Sequence, residues 1–137
     1  MLLARLGSFF SSRLGALVLL LVWMGVIFGF STLPGKVTAG PPPLWYFIER
    51  KGAHVVEYAM LTLLAFHFFR RSFTRESLGR VLSLSATFAL MYGATDELHQ
   101  YFVPGRGARF SDVLIDGLGI LLMTLALALF FRNKNRS

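Results

Sequence analysis

An uncharged run of 22 residues, at positions 14–35, limits what this chain can fold into. At about 1.5 Å per residue, a helix of that length crosses the roughly 30 Å hydrocarbon core of a bilayer. A cleaved signal peptide is the competing interpretation, since Arg5 and Arg13 precede the run. However, the apolar region of a signal peptide is usually only about 7–15 residues long, and residues 31–34 offer no small-residue cleavage site. We therefore interpret the run as a retained membrane helix.

Composition favours a membrane protein over a soluble one. Only 15% of the 137 residues are charged, whereas soluble domains carry about a quarter. The net charge of +7 could indicate nucleic-acid binding, but the basic residues flank apolar runs and form no recognition helix or stripe. The chain contains no cysteine, which rules out disulfides and thiolate metal sites. These observations exclude a soluble enzyme, a nucleic-acid-binding protein and a zinc-finger module.

Three further apolar segments have uncharged cores that are too short to span a bilayer alone. The cores contain 12, 15 and 15 residues, at positions 58–69, 81–95 and 117–131, where a spanning helix needs about 20. Each reaches that length only by extension into a stretch that contains carboxylates, at residues 52–57, 96–102 or 112–116. Short buried helices of a soluble protein are the alternative, but so little charge leaves too little polar surface to cover them.

We therefore predict an all-α integral membrane protein that forms one domain over residues 1–137. Its four transmembrane helices form a bundle and are predicted at about residues 14–33, 51–69, 80–102 and 111–131. One set of helix ends and connections carries nine basic residues and a single acid, Glu76, whereas the opposite set carries five basic and six acidic residues. The positive-inside rule then places both termini in the cytoplasm. We expect a multi-pass protein of the bacterial cytoplasmic (inner) membrane.

Ionisable residues inside membrane helices are costly and usually face a cavity or the interior of a bundle. Helical spacing places such residues on one face of each of the last three predicted helices, near the outer surface. They are Lys51, His54, Glu57 and Tyr58, then Tyr92, Asp96 and Gln100, and finally Asp112 and Asp116. Arg106 and Arg109 follow in the connection above them. Gly119 lies near the face of Asp116 and is expected to let another helix approach closely.

Three motifs within about residues 50–119 are specific enough to suggest a family. They are Lys51-x-x-His54-x-x-Glu57-Tyr58, Asp96-Glu97-Leu98-His99-Gln100-Tyr101-Phe102-Val103-Pro104-Gly105-Arg106 and Asp112-Val113-Leu114-Ile115-Asp116-Gly117-x-Gly119. This pattern resembles the VanZ-like family of small membrane proteins, whose founding member is linked to low-level teicoplanin resistance. The family usually has Asn where this chain has Asp116, so this chain has an additional carboxylate. The resemblance implies a role in the cell envelope.

From these residues we predict a polar pocket, open to the outer leaflet, that binds an anionic headgroup, with processing of that headgroup as the further option. The ligand is expected to be a lipid or cell-wall precursor, such as a phospholipid or a polyprenyl phosphate. Arginine guanidinium groups suit bidentate contact with phosphate, and buried carboxylates suit acid–base chemistry. Lys51, His54, Arg106 and Arg109 are predicted to bind, Glu57, Asp96 and Glu97 to act as acid or base, and Tyr58, Gln100, Asp112 and Asp116 to orient them.

A network of internal ion pairs that joins four short helices is the alternative interpretation of the same residues. It corresponds to a non-enzymatic membrane protein that modulates access of a glycopeptide such as teicoplanin, or that scaffolds an envelope partner. Proton-coupled transport is disfavoured, because the inner halves of the helices are apolar except for His67. Whether the protein is an enzyme or a binding protein is left open.

The sequence predicts neither a cofactor nor a tightly bound metal. His54-x-x-Glu57 lacks the second His of the H-x-x-E-H zinc motif, because Tyr58 occupies that position. If a divalent ion did bind, the predicted ligands are His54, Glu57, Asp96 and His99. Membrane lipids are the expected partners, nucleic acid is not, and a homodimer is a further option.

Overall fold

A computed structural model describes residues 12–34, 43–106 and 110–134, and all regular secondary structure within these ranges is α-helical. The described residues form four helices: α1 (Arg13–Ser31), α2 (Leu44–Ser72), α3 (Leu78–Tyr101) and α4 (Phe110–Lys134). The predictions of an all-α fold and of four helices are confirmed.

The helix ends follow from local chemistry and differ most from prediction at the start of α2. Ser12 and Ser77 cap α1 and α3, their hydroxyls accepting the amide protons of Gly15 at 3.0 Å and Arg80 at 3.3 Å. Helix α2 begins at Leu44, directly after Pro43 and seven residues before the predicted start. That prediction was too late because the charges of residues 49–51 were taken as the boundary, whereas these side chains lie on the first turns of a continuous helix.

Within the described part of the chain, three helices are long and apolar enough to cross a membrane, judged by length and composition: Arg13–Ser31, Ile48–Ser72 and Ser111–Lys134. Their outward faces carry large exposed apolar side chains, such as Leu21 and Val22 on α1 and Leu121 and Leu125 on α4. Exposed apolar surface of this extent is unfavourable in water and suited to lipid. Helix α3 has 24 residues and carries polar residues near its C-terminal end.

Helix α2 is central and packs against each of the other three helices. Tyr58, Leu61 and Ala65 of α2 form the middle of a buried cluster that also contains Leu20 and Ile27 of α1, Ala89 of α3 and Ile120 of α4. A second cluster consists of Phe66, Val81, Leu82 and Leu127. It lies toward the end of the bundle where α2 and α4 end and α3 begins. The apolar core thus lies immediately beside the polar end of the bundle.

The close contact between α2 and α4 depends on Gly119. A Cβ atom added at Gly119 would lie 2.2 Å from the backbone carbonyl oxygen of Val55, which confirms the predicted close approach. This contact fixes the register in which the first turns of α4 face the first half of α2.

The connection after α3 turns the chain back over the bundle. The amide of Arg106 donates to the carbonyl of Val103 at 3.1 Å, and Gly105 has φ of 72°. A positive φ at this place is typical of the glycine in a type II turn. The turn directs the Arg106 side chain toward α1.

Candidate functional site

Buried polar residues are concentrated at one end of the bundle, where α1 and α3 end and α2 and α4 begin. Those at this end are Ser31, His54, Asp96, Glu97, Gln100, Asp112 and Asp116, whereas Thr62 and Ser85 are buried elsewhere in α2 and α3. Buried polar groups need hydrogen-bond or charged partners, so their contacts define what the site can do.

Two polar side-chain contacts join α2 to α4. Lys51 forms an ion pair with Asp112, and Nδ1 of His54 lies 2.9 Å from Oδ1 of Asp116. The spacing of the two partners is i, i+3 on α2 and i, i+4 on α4, so both pairs lie on facing surfaces of the helices. We call these two contacts the α2–α4 pairs.

A second set of contacts joins α3 to α1 through Arg106. The side-chain amide of Gln100 donates to Oδ2 of Asp96 at 2.8 Å and accepts from Nη1 of Arg106 at 3.1 Å. Arg106 also donates through Nη2 to the carbonyl of Phe30 and through Nε to that of Leu33, both at 2.8 Å. The final carbonyls of a helix lack partners within it and favour a nearby cation. Arg106 therefore connects the C-terminal end of α1 to α3 through hydrogen bonds.

Between these contacts lies a cavity of about 490 Å³, within the size range of sites for small molecules. Helices α1, α2 and α3 and the residue Arg106 form its walls. Its polar lining consists of Ser31, Glu49, Arg50, His54, Glu57, Asp96, Gln100 and Arg106, and its apolar lining of Ile27, Phe30, Leu33, Pro34, Trp45 and Ala53. Leu33 and Trp45 are also exposed at the surface of the bundle.

The predicted site residues fall into three groups. His54, Glu57, Asp96, Gln100 and Arg106 line the cavity. Tyr58, Glu97, Asp112 and Asp116 are buried in the adjoining interior, and Lys51 contacts Asp112. Arg109 lies outside the described residues. Their roles in ligand binding and acid–base chemistry stay predictions.

Sequence reasoning missed the part of the cavity that α1 and the start of α2 provide. Trp45, Glu49 and Arg50 line it because α2 begins earlier than predicted. The Phe30 and Leu33 carbonyls that accept from Arg106 have no sequence signal, since every residue has a carbonyl. Arg50 could have been found by its position one residue before Lys51.

Several buried polar atoms have no hydrogen-bond partner within the described part of the chain. They include the Tyr58 hydroxyl, Oδ1 of Asp96 and Oδ2 of Asp116. Tyr58 and Asp116 meet over Gly93, where an added Cβ atom would lie 3.1 Å from a ring carbon of Tyr58 and 3.5 Å from Oδ2 of Asp116. An alanine at this position would crowd both side chains.

Among the described residues, three potential metal ligands come together: His54, Glu97 and Asp116, with one ligand atom of each within 4.8 Å of the others. Only His54 belongs to the set predicted as metal ligands. Glu57 and Asp96 of that set line the cavity instead, and the His99 ring packs against Phe28 with centroids 4.7 Å apart. In the structure the three potential metal ligands thus come from three different helices, whereas the prediction paired residues within single helices.

Comparison with known proteins gives one match. The family model described as VanZ/LLP1 matches residues 16–131, a span that extends from α1 into the last turn of α4. None of the curated proteins and none of the solved structures compared with the chain matches it.

Proposed function

The chain belongs to the VanZ/LLP1 family, and from this premise we propose that it binds an anionic headgroup at the outer face of the bacterial cytoplasmic membrane. The ligand is a lipid or a cell-wall precursor, such as a phospholipid or a polyprenyl phosphate. The observation that carries the proposal is the cavity of about 490 Å³, in which Arg50, His54 and Arg106 lie close to apolar residues at the edge of the bundle.

The proposal includes a topology in which all four helices cross the membrane with both termini in the cytoplasm. Helix α3 has 24 residues and is about 36 Å long, and its buried Asp96, Glu97 and Gln100 face the other helices rather than lipid. The last turns of α2 and α4 carry Arg70, Arg71, Arg132 and Lys134. These cations at the end opposite the cavity support a cytoplasmic location for that end.

Charge and shape support a ligand with a phosphate head and an apolar tail. Guanidinium groups bind phosphate through paired N–H donors, and Arg50 and Arg106 both line the cavity. Leu33 and Trp45 are part of the same lining and are 54% and 66% exposed, so an acyl or polyprenyl chain would leave the cavity past them into the bilayer.

Processing of the ligand is the stronger form of the proposal. Glu57 and Asp96 line the cavity together with His54, so their carboxylates are placed to exchange a proton with a bound headgroup. Glu97 is buried beyond the cavity lining, which makes it a less direct participant. Enzyme activity would therefore depend first on Glu57 and Asp96.

The test is native mass spectrometry of the detergent-extracted protein with its co-purified lipids. We expect the wild type to retain an anionic lipid that Arg106→Ala and Arg50→Gln lose. Arg75→Ala is the matched control, because Arg75 is an exposed arginine in the connection between α2 and α3, remote from the cavity. Equal lipid retention in all four proteins, or a wild type without lipid, would contradict the proposal.

A scaffold without a ligand is the second candidate function, and the α2–α4 pairs favour it. Lys51–Asp112, His54–Asp116 and the Arg106–Gln100–Asp96 chain use the same residues to join helices. In that case the protein holds an envelope partner or changes the access of a glycopeptide to its target. The lipid-free outcome of the mass spectrometry experiment would favour this candidate.

A further inference from the structure

The side chains of His54, Glu97 and Asp116 have the composition of a metal site, and headgroup binding leaves two of them unexplained. Glu97 and Asp116 are 4% and 1% exposed, and they are buried beyond the cavity lining. One ligand atom from each of the three residues lies within 4.8 Å of the others. Imidazole nitrogen and carboxylate oxygen are ligands for Zn²⁺, Mn²⁺ and Fe²⁺.

Unsatisfied polar atoms next to the three ligands point independently to a bound ion. Oδ1 of Asp116 is in contact with His54, but Oδ2 of the same carboxylate has no hydrogen-bond partner among the described residues. Within the described ranges, Oδ1 of Asp96 and the hydroxyl of Tyr58 also have no hydrogen-bond partner. The residues Asp96 and Tyr58 are 5% and 0% exposed. Buried polar atoms without partners are rare in native proteins and often indicate a missing ion or water.

Carboxylates are also concentrated at this place. Glu57, Asp96 and Asp116 are close enough to interact with one another electrostatically, and Glu97 adds a fourth carboxylate. Nearby, Lys51 contacts Asp112, while Arg106 donates to Gln100 and to two carbonyls of α1. Buried charges are stable only when they are paired or coordinate a metal, and a bound cation would be one such partner for these carboxylates.

We propose that His54, Glu97 and Asp116 bind a divalent transition-metal ion, with Zn²⁺ and Mn²⁺ as the ions to test. Ligand distances of about 2.0–2.2 Å hold two ligand atoms at most about 4.4 Å apart. The three ligand atoms lie within 4.8 Å of one another, so side-chain movements that bring them closer together would let all three reach one ion. The site draws on α2, α3 and α4 at once, and Asp96 and Tyr58 flank it as groups that orient the ligands.

Metal binding by the full-length protein in detergent tests the proposal directly. The protein is stripped with a chelator, dialysed to equilibrium against Zn²⁺ or Mn²⁺, and its metal content is measured by inductively coupled plasma mass spectrometry. We expect about one equivalent in the wild type and an affinity at least about tenfold lower in Asp116→Asn and Glu97→Gln. Both substitutions preserve size, and the new amide oxygen at position 116 still accepts from His54. Glu49→Gln is the matched control, because Glu49 is an exposed carboxylate of the cavity lining outside the cluster.

Each outcome decides the proposal. A wild type that binds less than about one tenth of an equivalent of either ion overturns it, as does equal binding by the wild type, Asp116→Asn and Glu97→Gln. If either variant aggregates on size exclusion, the other one and His54→Gln provide the comparison. The probe is the metal alone, so the result does not depend on whether a headgroup binds.

Discussion

At the scale of single residues, the α2–α4 pairs limit which side chains can change. Lys51 and Asp112 are only 16% and 5% exposed at their side chains. In such a place the attraction between charges is strong, and so is the desolvation cost of each charge by itself. The loss of one partner should therefore be more harmful than the loss of both.

We expect Lys51→Met to lower the free energy of unfolding by about 3 kcal/mol, because it leaves the Asp112 carboxylate buried without its cation. The double variant Lys51→Met/Asp112→Leu should recover most of that loss, since two apolar side chains replace the pair. Thermal and denaturant unfolding followed by circular dichroism in detergent measures both. A double variant that is as unstable as Lys51→Met would contradict the cost that we assign to the unpaired Asp112 carboxylate.

At the scale of helices, the distance between α2 and α4 is set at Gly119. The nearest atom to an added Cβ at that position is a backbone oxygen, that of Val55, at 2.2 Å. A backbone atom cannot rotate away as a side chain can, so any larger residue must move a whole helix.

We expect Gly119→Ala to destabilise the protein by about 1–3 kcal/mol, the usual cost of excess volume in a packed interior. Gly117→Ala is the matched control on the same helix, because an added Cβ there meets nothing within 4 Å. That change should stabilise by up to about 1 kcal/mol through helix propensity. The comparison of the two unfolding temperatures is the measurement, and equal temperatures would contradict the inferred contact.

The helices themselves were largely predictable from sequence, and the start of α2 is the boundary that was not. Uncharged length and hydropathy locate all four helices, and the predicted starts of α1, α3 and α4 lie within two residues of those observed. Helix α2 starts at Leu44 because charged residues can occupy the first turns of a membrane helix when they face other polar groups. Lys51 illustrates this, since its charge is paired with Asp112 of α4.

The sequence predicted which residues form the polar site but not which of them contact one another. Helical spacing placed Asp96 with Gln100, and Asp112 with Asp116, on common faces, and the structure buries all four. The sequence cannot show which helix faces which, so it did not pair His54 with Asp116 or bring Glu97 to them. Those contacts depend on the register of three helices, which is fixed by close approaches such as that of Gly119.

At the scale of the whole molecule, charge divides the bundle into two unlike ends. The end with the cavity contains Glu57, Asp96 and Asp116, whereas Arg70 and Arg132 lie in the last turns of helices at the other end. Basic residues are retained on the cytoplasmic side during insertion. In the proposed topology, the same division orients the protein and separates its polar cavity from the cytoplasm.

Orientation can be measured with single cysteines, since the chain has none of its own. We expect Pro104→Cys to react with a membrane-impermeant maleimide added outside intact cells, and Thr74→Cys and Asn133→Cys to react only after the membrane is opened. All three positions are exposed. The reverse labelling pattern would invert the proposed topology, and labelling of Thr74→Cys and Pro104→Cys from the same side would exclude α3 as a spanning helix.

The attachment of α1 has a consequence for how freely its sequence can diverge. Tyr92 donates to the backbone carbonyl of Met24 at 2.7 Å, and Arg106 donates to those of Phe30 and Leu33. Any residue at these three acceptor positions supplies the same carbonyl, so the demand for a particular side chain applies to the donors alone. Relatives could therefore vary widely along the end of α1 and keep every one of these bonds, while Tyr92 and Arg106 would tolerate little change.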